Sequence, residues 1–142
     1  MPEECKNTAM ESLLPLLLLI SITSVIGLTL RAKKGVIKKG SRLKISEGEF
    51  AGKYGSRLTI LQFSTTFCSE CRTAKAIVKD VVKDYKDITY VEVDAESNLD
   101  LVRRVDIRST PTTIFLDCEG FEIARAKGAP KRDQLIKAIK AI

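Results

Sequence analysis

The sequence predicts an α/β domain, a mixed central sheet with helices on both faces, preceded by one apolar helix near the N-terminus. Three observations carry this. Strand-like and helix-like apolar patterns alternate along residues 58–142. A three-residue turn joins the last two strands, which forces that pair to be antiparallel. Residues 12–30 carry no charge at all.

Residues 12–30 read "SLLPLLLLISITSVIGLTL". At about 1.5 Å per residue such a helix spans roughly 28 Å, close to the hydrocarbon thickness of a bilayer. A buried core helix is one alternative, but it would rarely be apolar on every face. A cleaved signal peptide is another, and it would want a basic n-region, a shorter apolar stretch and a small-residue cleavage site. Here the preceding segment 1–11 is net acidic and the run ends in "LRAKKG". The reading is an uncleaved single-pass transmembrane helix over 12–30.

The net charge of +6 is unevenly spread. Seven basic residues and no acid fall in 31–44, whereas residues 45–142 hold 16 basic and 15 acidic side chains. A nucleic-acid-binding domain would carry its charge on the folded face, so nucleic acid is not an expected partner. The basic run suits anionic headgroups, at about 1 kcal/mol per residue near the surface. Its place after the span predicts a cytoplasmic main domain, with an extracytoplasmic one as the alternative.

Residues 31–56 mix basic, Gly and Ser positions and read as a tether, with a weakly signalled strand around Arg42–Ile45. The expected divisions are a short segment 1–11, the span 12–30, a basic juxtamembrane linker 31–44 and a folded domain 45–142. Within the domain, "LTILQFS" (58–64) has the β-branched, apolar look of a buried central strand. Ala74, Ile77, Val78, Val81, Val82 and Tyr85 then mark one face of an amphipathic helix that Cys68 opens. "ITYVEV" (88–93) is a second strand, parallel to the first through a right-handed crossover. A short helix over 97–105 follows. Strands 112–117 and 121–126 flank the turn "CEG", and a helix over 131–142 closes the chain.

Cys68-Ser69-Glu70-Cys71 carries the chemistry. A closed structural zinc site needs four ligands, yet the chain has no His and no second Cys-x-x-Cys, and Cys118 stands alone in a turn. Two buried structural thiols are the plain alternative. Position favours a redox pair: the cysteines fall where a central strand ends and a helix begins. Unpaired N–H groups and the partial positive charge of a helix start stabilise a thiolate there. Cys68 is then the nucleophile and Cys71, one turn on, the resolving thiol.

From about Leu58 to Ile142 the chain resembles the thioredoxin family. "FCSECR" (67–72) matches the active-site turn, "VEVDAESN" (91–98) the following strand and loop, and "FLDCEG" (115–120) the final hairpin. In "VDIRSTPT" (105–112), Pro111 occupies the place of the family's cis-proline. The resemblance implies a three-layer thioredoxin-like sandwich and a membrane-anchored, bacterial-type member. It further implies a substrate groove formed by Phe67, Thr110, Pro111 and Gly128, in which an extended substrate pairs with the backbone of Thr110. The chain departs from the family at Gln62, where a buried aspartate is usual. It departs also at Ser64 and Phe67, where tryptophans are usual, and at Ser69-Glu70, where Gly-Pro is usual.

The expected activity is thiol–disulfide exchange on protein disulfides by a monomer with no bound cofactor and no metal. An external electron donor, such as a thioredoxin reductase-like system, would restore the dithiol. An extracytoplasmic oxidase, isomerase or cytochrome-assembly factor is one alternative, and a non-catalytic docking module is the other.

Overall fold

The computed structural model describes residues 4–32 and 35–142, with side chains from residue 13 onward. Met1–Glu3 and Lys33–Lys34, assigned above to the N-terminal segment and the basic linker, lie outside the described residues, as does the side chain of Cys5. The chain divides into two compact units, Met1–Lys33 and Lys34–Ile142.

The first unit is one helix, α1 (Glu4–Ala32), with Pro15 inside it. Its stretch Leu13–Ala32, 20 residues of mean hydropathy 2.4, is long and apolar enough to cross a membrane. None of that stretch is buried, and Leu14 and Leu28 are 63% and 68% exposed. Three of its hydroxyls are satisfied internally. The hydroxyls of Ser21, Thr23 and Thr29 donate to the carbonyls of Leu17, Leu19 and Ile26, at 3.0, 2.9 and 2.8 Å. Such back-bonding leaves the helix with little polar surface to solvate.

The second unit contains β1 (Ile37–Lys39), α2 (Glu47–Phe50), β2 (Leu58–Ser64), α3 (Ser69–Val82), β3 (Ile88–Asp94), α4 (Leu99–Arg104), β4 (Thr112–Asp117), β5 (Glu122–Lys127) and α5 (Arg132–Ala141). Its sheet runs β1-β5-β4-β2-β3. β2 and β3 are parallel, while β4 is antiparallel to both β2 and β5. β2 is buried along its whole length, because successive side chains serve opposite layers. Leu58 and Ile60 pack with Val78, Val81, Leu135 and Ile139 of α3 and α5. Leu61 and Phe63 pack on the other side with Ile45, Phe50, Leu101 and Val105. The result is the mixed sheet with helices on both faces that the alternation implied, and the three-layer sandwich that the resemblance implied.

The N-terminal boundary differs from the sequence reading. Residues 37–39, placed in the linker 31–44, form the edge strand β1, antiparallel to β5 with Ile37 opposite Ala126. The weak strand signal at Arg42–Ile45 amounts to a single bridge between Lys44 and Phe121, and Ile45 and Phe50 of the supposed tether are core residues. A three-residue strand with two lysines has no readable period; its partner strand sets it. Ser41 adds a contact by donating its hydroxyl to the carboxylate of Glu122. Smaller shifts occur at α4, which is shorter than 97–105, and at β5, which starts one residue late. At the turn between β4 and β5, Gly120 has a φ of +86°, and a Cβ there would meet the Tyr54 hydroxyl at 2.2 Å. A side chain is excluded twice over.

Candidate active site

The end of β2 and the start of α3 meet at the cysteine pair. Cys68 is the N-cap of α3, with an extended backbone, and its sulfur accepts from the Cys71 N–H at 3.1 Å. An orphan N–H of the first helical turn is thereby used, as the motif's position predicted. Cys68 and Cys71 are joined in a disulfide, their Cα atoms 5.2 Å apart. Cys71 is 3% exposed and Cys68 is half-buried, so the two sulfurs differ in accessibility. Cys118 is free and exposed on the β4–β5 turn. Among the described residues, no group of three or more His, Cys, Asp or Glu is placed to hold a metal ion.

The remaining expected site residues fall around this pair. Phe67, immediately before Cys68, is 98% exposed. The Thr110–Pro111 bond is cis. The Thr110 hydroxyl lies 3.4 Å from that of Thr65, in the loop leading to Cys68. Thr112 follows and pairs with Phe63 near the end of β2. Gly128 has a φ of +82°, a region that favours glycine, and its N–H donates to the Pro111 carbonyl at 2.7 Å. Thr110, Pro111 and Gly128 thus form one backbone-rich rim. On the opposite side of the same loop, Glu96 accepts from the Thr66 hydroxyl at 3.1 Å.

Below the cysteines, Gln62 is fully buried. Its amide donates to the Cys71 carbonyl and the Ser64 hydroxyl, each at 3.1 Å, and its oxygen accepts from the Tyr90 hydroxyl at 3.2 Å. An amide can do this because it both donates and accepts. A carboxylate could not supply the two donated bonds. Burial, with the nearby Glu92 charge, pushes the Tyr90 phenol well above its ordinary value. Gln62 and Tyr90 therefore form a fixed, uncharged floor.

Sequence reasoning missed a cleft of about 380 Å³ beside the disulfide, lined by Cys68, Cys71, Arg72, Lys75, Glu92 and Asp94 among others. None of Phe67, Thr110, Pro111 and Gly128 borders it. Lys75 and Glu92 form an ion pair within it. Lys75 could have been found from its helical spacing to Cys71; Glu92 needed the register of β3.

Comparison with known proteins agrees with this geometry. The thioredoxin family's sequence profile matches residues 43–141. Thioredoxin H5 of rice (Oryza sativa subsp. japonica) is 37% identical over 60 residues, covering 42% of this chain and 44% of that protein. Thioredoxin of Ophiophagus hannah is 30% identical over 86 residues, covering 61% of this chain and 80% of that protein. Among solved structures, a malaria-parasite thioredoxin-2, described as a component of the parasite's protein secretion machinery, superposes with a TM-score of 0.57. It is 28% identical and covers 61% of this chain and 84% of its own. With a cis-proline rim, a cysteine capping the helix after a central strand and a profile match over most of the chain, the protein belongs to the thioredoxin family and is a thiol–disulfide oxidoreductase.

Proposed function

We propose that the chain is a membrane-tethered protein-disulfide reductase whose catalytic domain faces the cytoplasm. The observation that carries the chemistry is Cys68 at the helix N-cap, half-buried and joined to the more deeply buried Cys71. Cys68, as thiolate, attacks a substrate disulfide and forms a mixed disulfide. Cys71 then attacks Cys68, releasing the reduced substrate and closing the intramolecular disulfide. Phe67 offers an apolar contact beside the nucleophile, and the Thr110–Pro111–Gly128 rim offers backbone groups to an extended substrate. An external donor of the thioredoxin reductase type restores the dithiol, and the protein works as a monomer.

Reduction is the direction suited to a reducing compartment. The cytoplasmic placement is supported by the basic residues that follow α1. Their attraction to anionic lipid and the apolar helix would hold the domain near membrane-bound substrates, raising their effective concentration. An apolar helix near the N-terminus also fits a signal sequence, which favours an extracytoplasmic assembly role as the second reading. Intact cells treated with a membrane-impermeant thiol reagent separate the two. Cys118, exposed and free, is expected to escape labelling until the cells are opened; labelling before that would overturn the cytoplasmic placement.

The activity itself is tested by insulin-disulfide reduction with the full chain in detergent and dithiothreitol as donor. Turnover that requires Cys68 is expected. No turnover, or turnover that survives Cys68→Ser, would remove the reductase reading.

A further inference from the structure

When Cys71 resolves the mixed disulfide it must first lose its thiol proton. Its sulfur is nearly buried, and forming a charge in such a place is costly without a nearby acceptor. Gln62, bonded to the Cys71 carbonyl, is an amide and cannot take a proton. Tyr90, bonded to Gln62, is a phenol held in its neutral form. The charged groups sharing the cleft with Cys71 are Arg72 and Lys75 from α3 and Glu92 and Asp94 from β3. Both Asp94 oxygens are engaged, one by the Glu96 N–H at 3.0 Å and the other by the Ser97 hydroxyl at 2.5 Å. These bonds hold its carboxyl below the ordinary range, led by the one from Ser97.

Glu92 is placed differently from Asp94. It stands opposite Gln62 in the parallel register of β2 and β3, so it shares that residue's face of the sheet. Lys75 lies four residues after Cys71 on α3, on the same helix face. One Glu92 oxygen pairs with the Lys75 ammonium, and the other has no protein partner among the described residues. The side chain is one-third exposed, and the cleft is large enough for several waters.

We propose that Glu92, held by Lys75, accepts the Cys71 proton through water in this cleft and so gates resolution of the mixed disulfide. The proton leaves the Cys71 thiol and Glu92 becomes a neutral acid. The Cys71 thiolate attacks the Cys68 sulfur, forming the Cys68–Cys71 bond and breaking the bond from Cys68 to the substrate sulfur. The substrate leaves as a thiolate and takes up a proton, from Glu92 by way of the cleft water or from solvent. Two electrons pass from the dithiol to the substrate disulfide. Within the cleft the first step moves a negative charge from carboxylate to sulfur without creating one, and the Lys75 ammonium remains to face it. Low local dielectric therefore opposes the transfer less than it would an unassisted ionisation. Glu92 thereby supplies to this chain what Gln62 cannot.

This inference rests on the dithiol mechanism proposed above, and the test separates the two. The full chain, with Cys5→Ser and Cys118→Ser to leave two thiols, is reduced in detergent and mixed with one equivalent of the aromatic disulfide dithiobisnitrobenzoate. The first thionitrobenzoate released reports attack by Cys68, and the second reports attack by Cys71 on the mixed disulfide. Glu92→Gln is expected to slow the second release relative to the first by about ten- to a hundredfold at neutral pH. The deficit should shrink as pH rises beyond the ordinary thiol pKa of about 8.5, where hydroxide can take the Cys71 proton directly. Glu92→Asp is expected to restore most of the rate, and Glu119→Gln, on the β4–β5 turn, to match the parent. A second release with the parent's rate and pH profile in Glu92→Gln would overturn the role of Glu92. So would an equal slowing of both releases at every pH, which is what a general structural defect gives. A parent that shows no second release would instead overturn the dithiol mechanism and this inference with it.

Discussion

With an enzymatic donor of the thioredoxin reductase type in place of dithiothreitol, Cys71→Ser is expected to abolish turnover, by on the order of 10³-fold or more, and to accumulate covalent adducts with substrate proteins. Cys68 keeps its place at the N-cap of α3 in this variant and still attacks a disulfide. The hydroxyl at position 71 is a far weaker nucleophile than a thiolate and cannot displace the substrate sulfur. The mixed disulfide therefore persists, visible as slower bands on non-reducing gels that dithiothreitol dissolves. Cys68→Ser loses turnover to a similar degree but forms no adducts, because the attacking atom is gone. The contrast between the two variants assigns nucleophile and resolver separately. Adducts forming in Cys68→Ser and not in Cys71→Ser would reverse those roles. Identifying the trapped proteins would also name substrate and compartment together.

The largest expected effect on stability lies away from the site, at Glu122. Its side chain is fully buried in β5, with Arg125 17% exposed beside it. Arg125 donates to both carboxylate oxygens, at 2.6 and 2.8 Å, and Ser41 donates as well. Removing one partner of such a pair leaves the other charge buried and uncompensated, at a cost of about 3–5 kcal/mol. Glu122→Gln keeps the shape and removes the charge, so a loss of roughly 3 kcal/mol is expected in urea unfolding followed by far-ultraviolet circular dichroism. A value within about 0.5 kcal/mol of the parent would show the pair to be dispensable.

The pH dependence of the same residue has a defined sign. Burial pushes the Glu122 carboxyl up, but the hydrogen bonds from Arg125 and Ser41 and the guanidinium charge outweigh it, and the carboxyl sits below its ordinary value. A carboxyl depressed in the folded state stabilises the fold above its unfolded pKa of about 4.3. That stabilisation fades as pH falls through the folded value. The parent should therefore lose stability below about pH 4.5 more steeply than Glu122→Gln. Equal slopes would remove the linkage assigned to this carboxyl.

Much of the fold is legible in local pattern. The apolar, β-branched run of β2 reads as a central strand because both its faces are covered. The face of α3 reads as a helix because Ala74, Val78 and Val81 recur where the sheet requires them. The antiparallel β4–β5 pair follows from the length of its turn. The cysteine pair is legible for the same local reason, since a strand end and a helix start adjoin in sequence and supply the N–H groups a sulfur can use.

β1 is illegible because three residues carry no period, and their conformation comes from β5 and from the Ser41–Glu122 contact, with partners more than eighty residues away in the chain. Lys75 and Glu92 look like ordinary surface charges in sequence. Their meeting depends on the register that sets Glu92 beside Gln62 and on the helix face that carries Lys75 below Cys71. Residue order thus dictated the cysteine pair at the helix start and the apolar helix, because each depends on neighbours within a few positions. The pairing of distant strands dictated the edge strand, the buried Glu122–Arg125 pair and the charged cleft under the disulfide. Those features exist only once the sheet has closed and chosen its register.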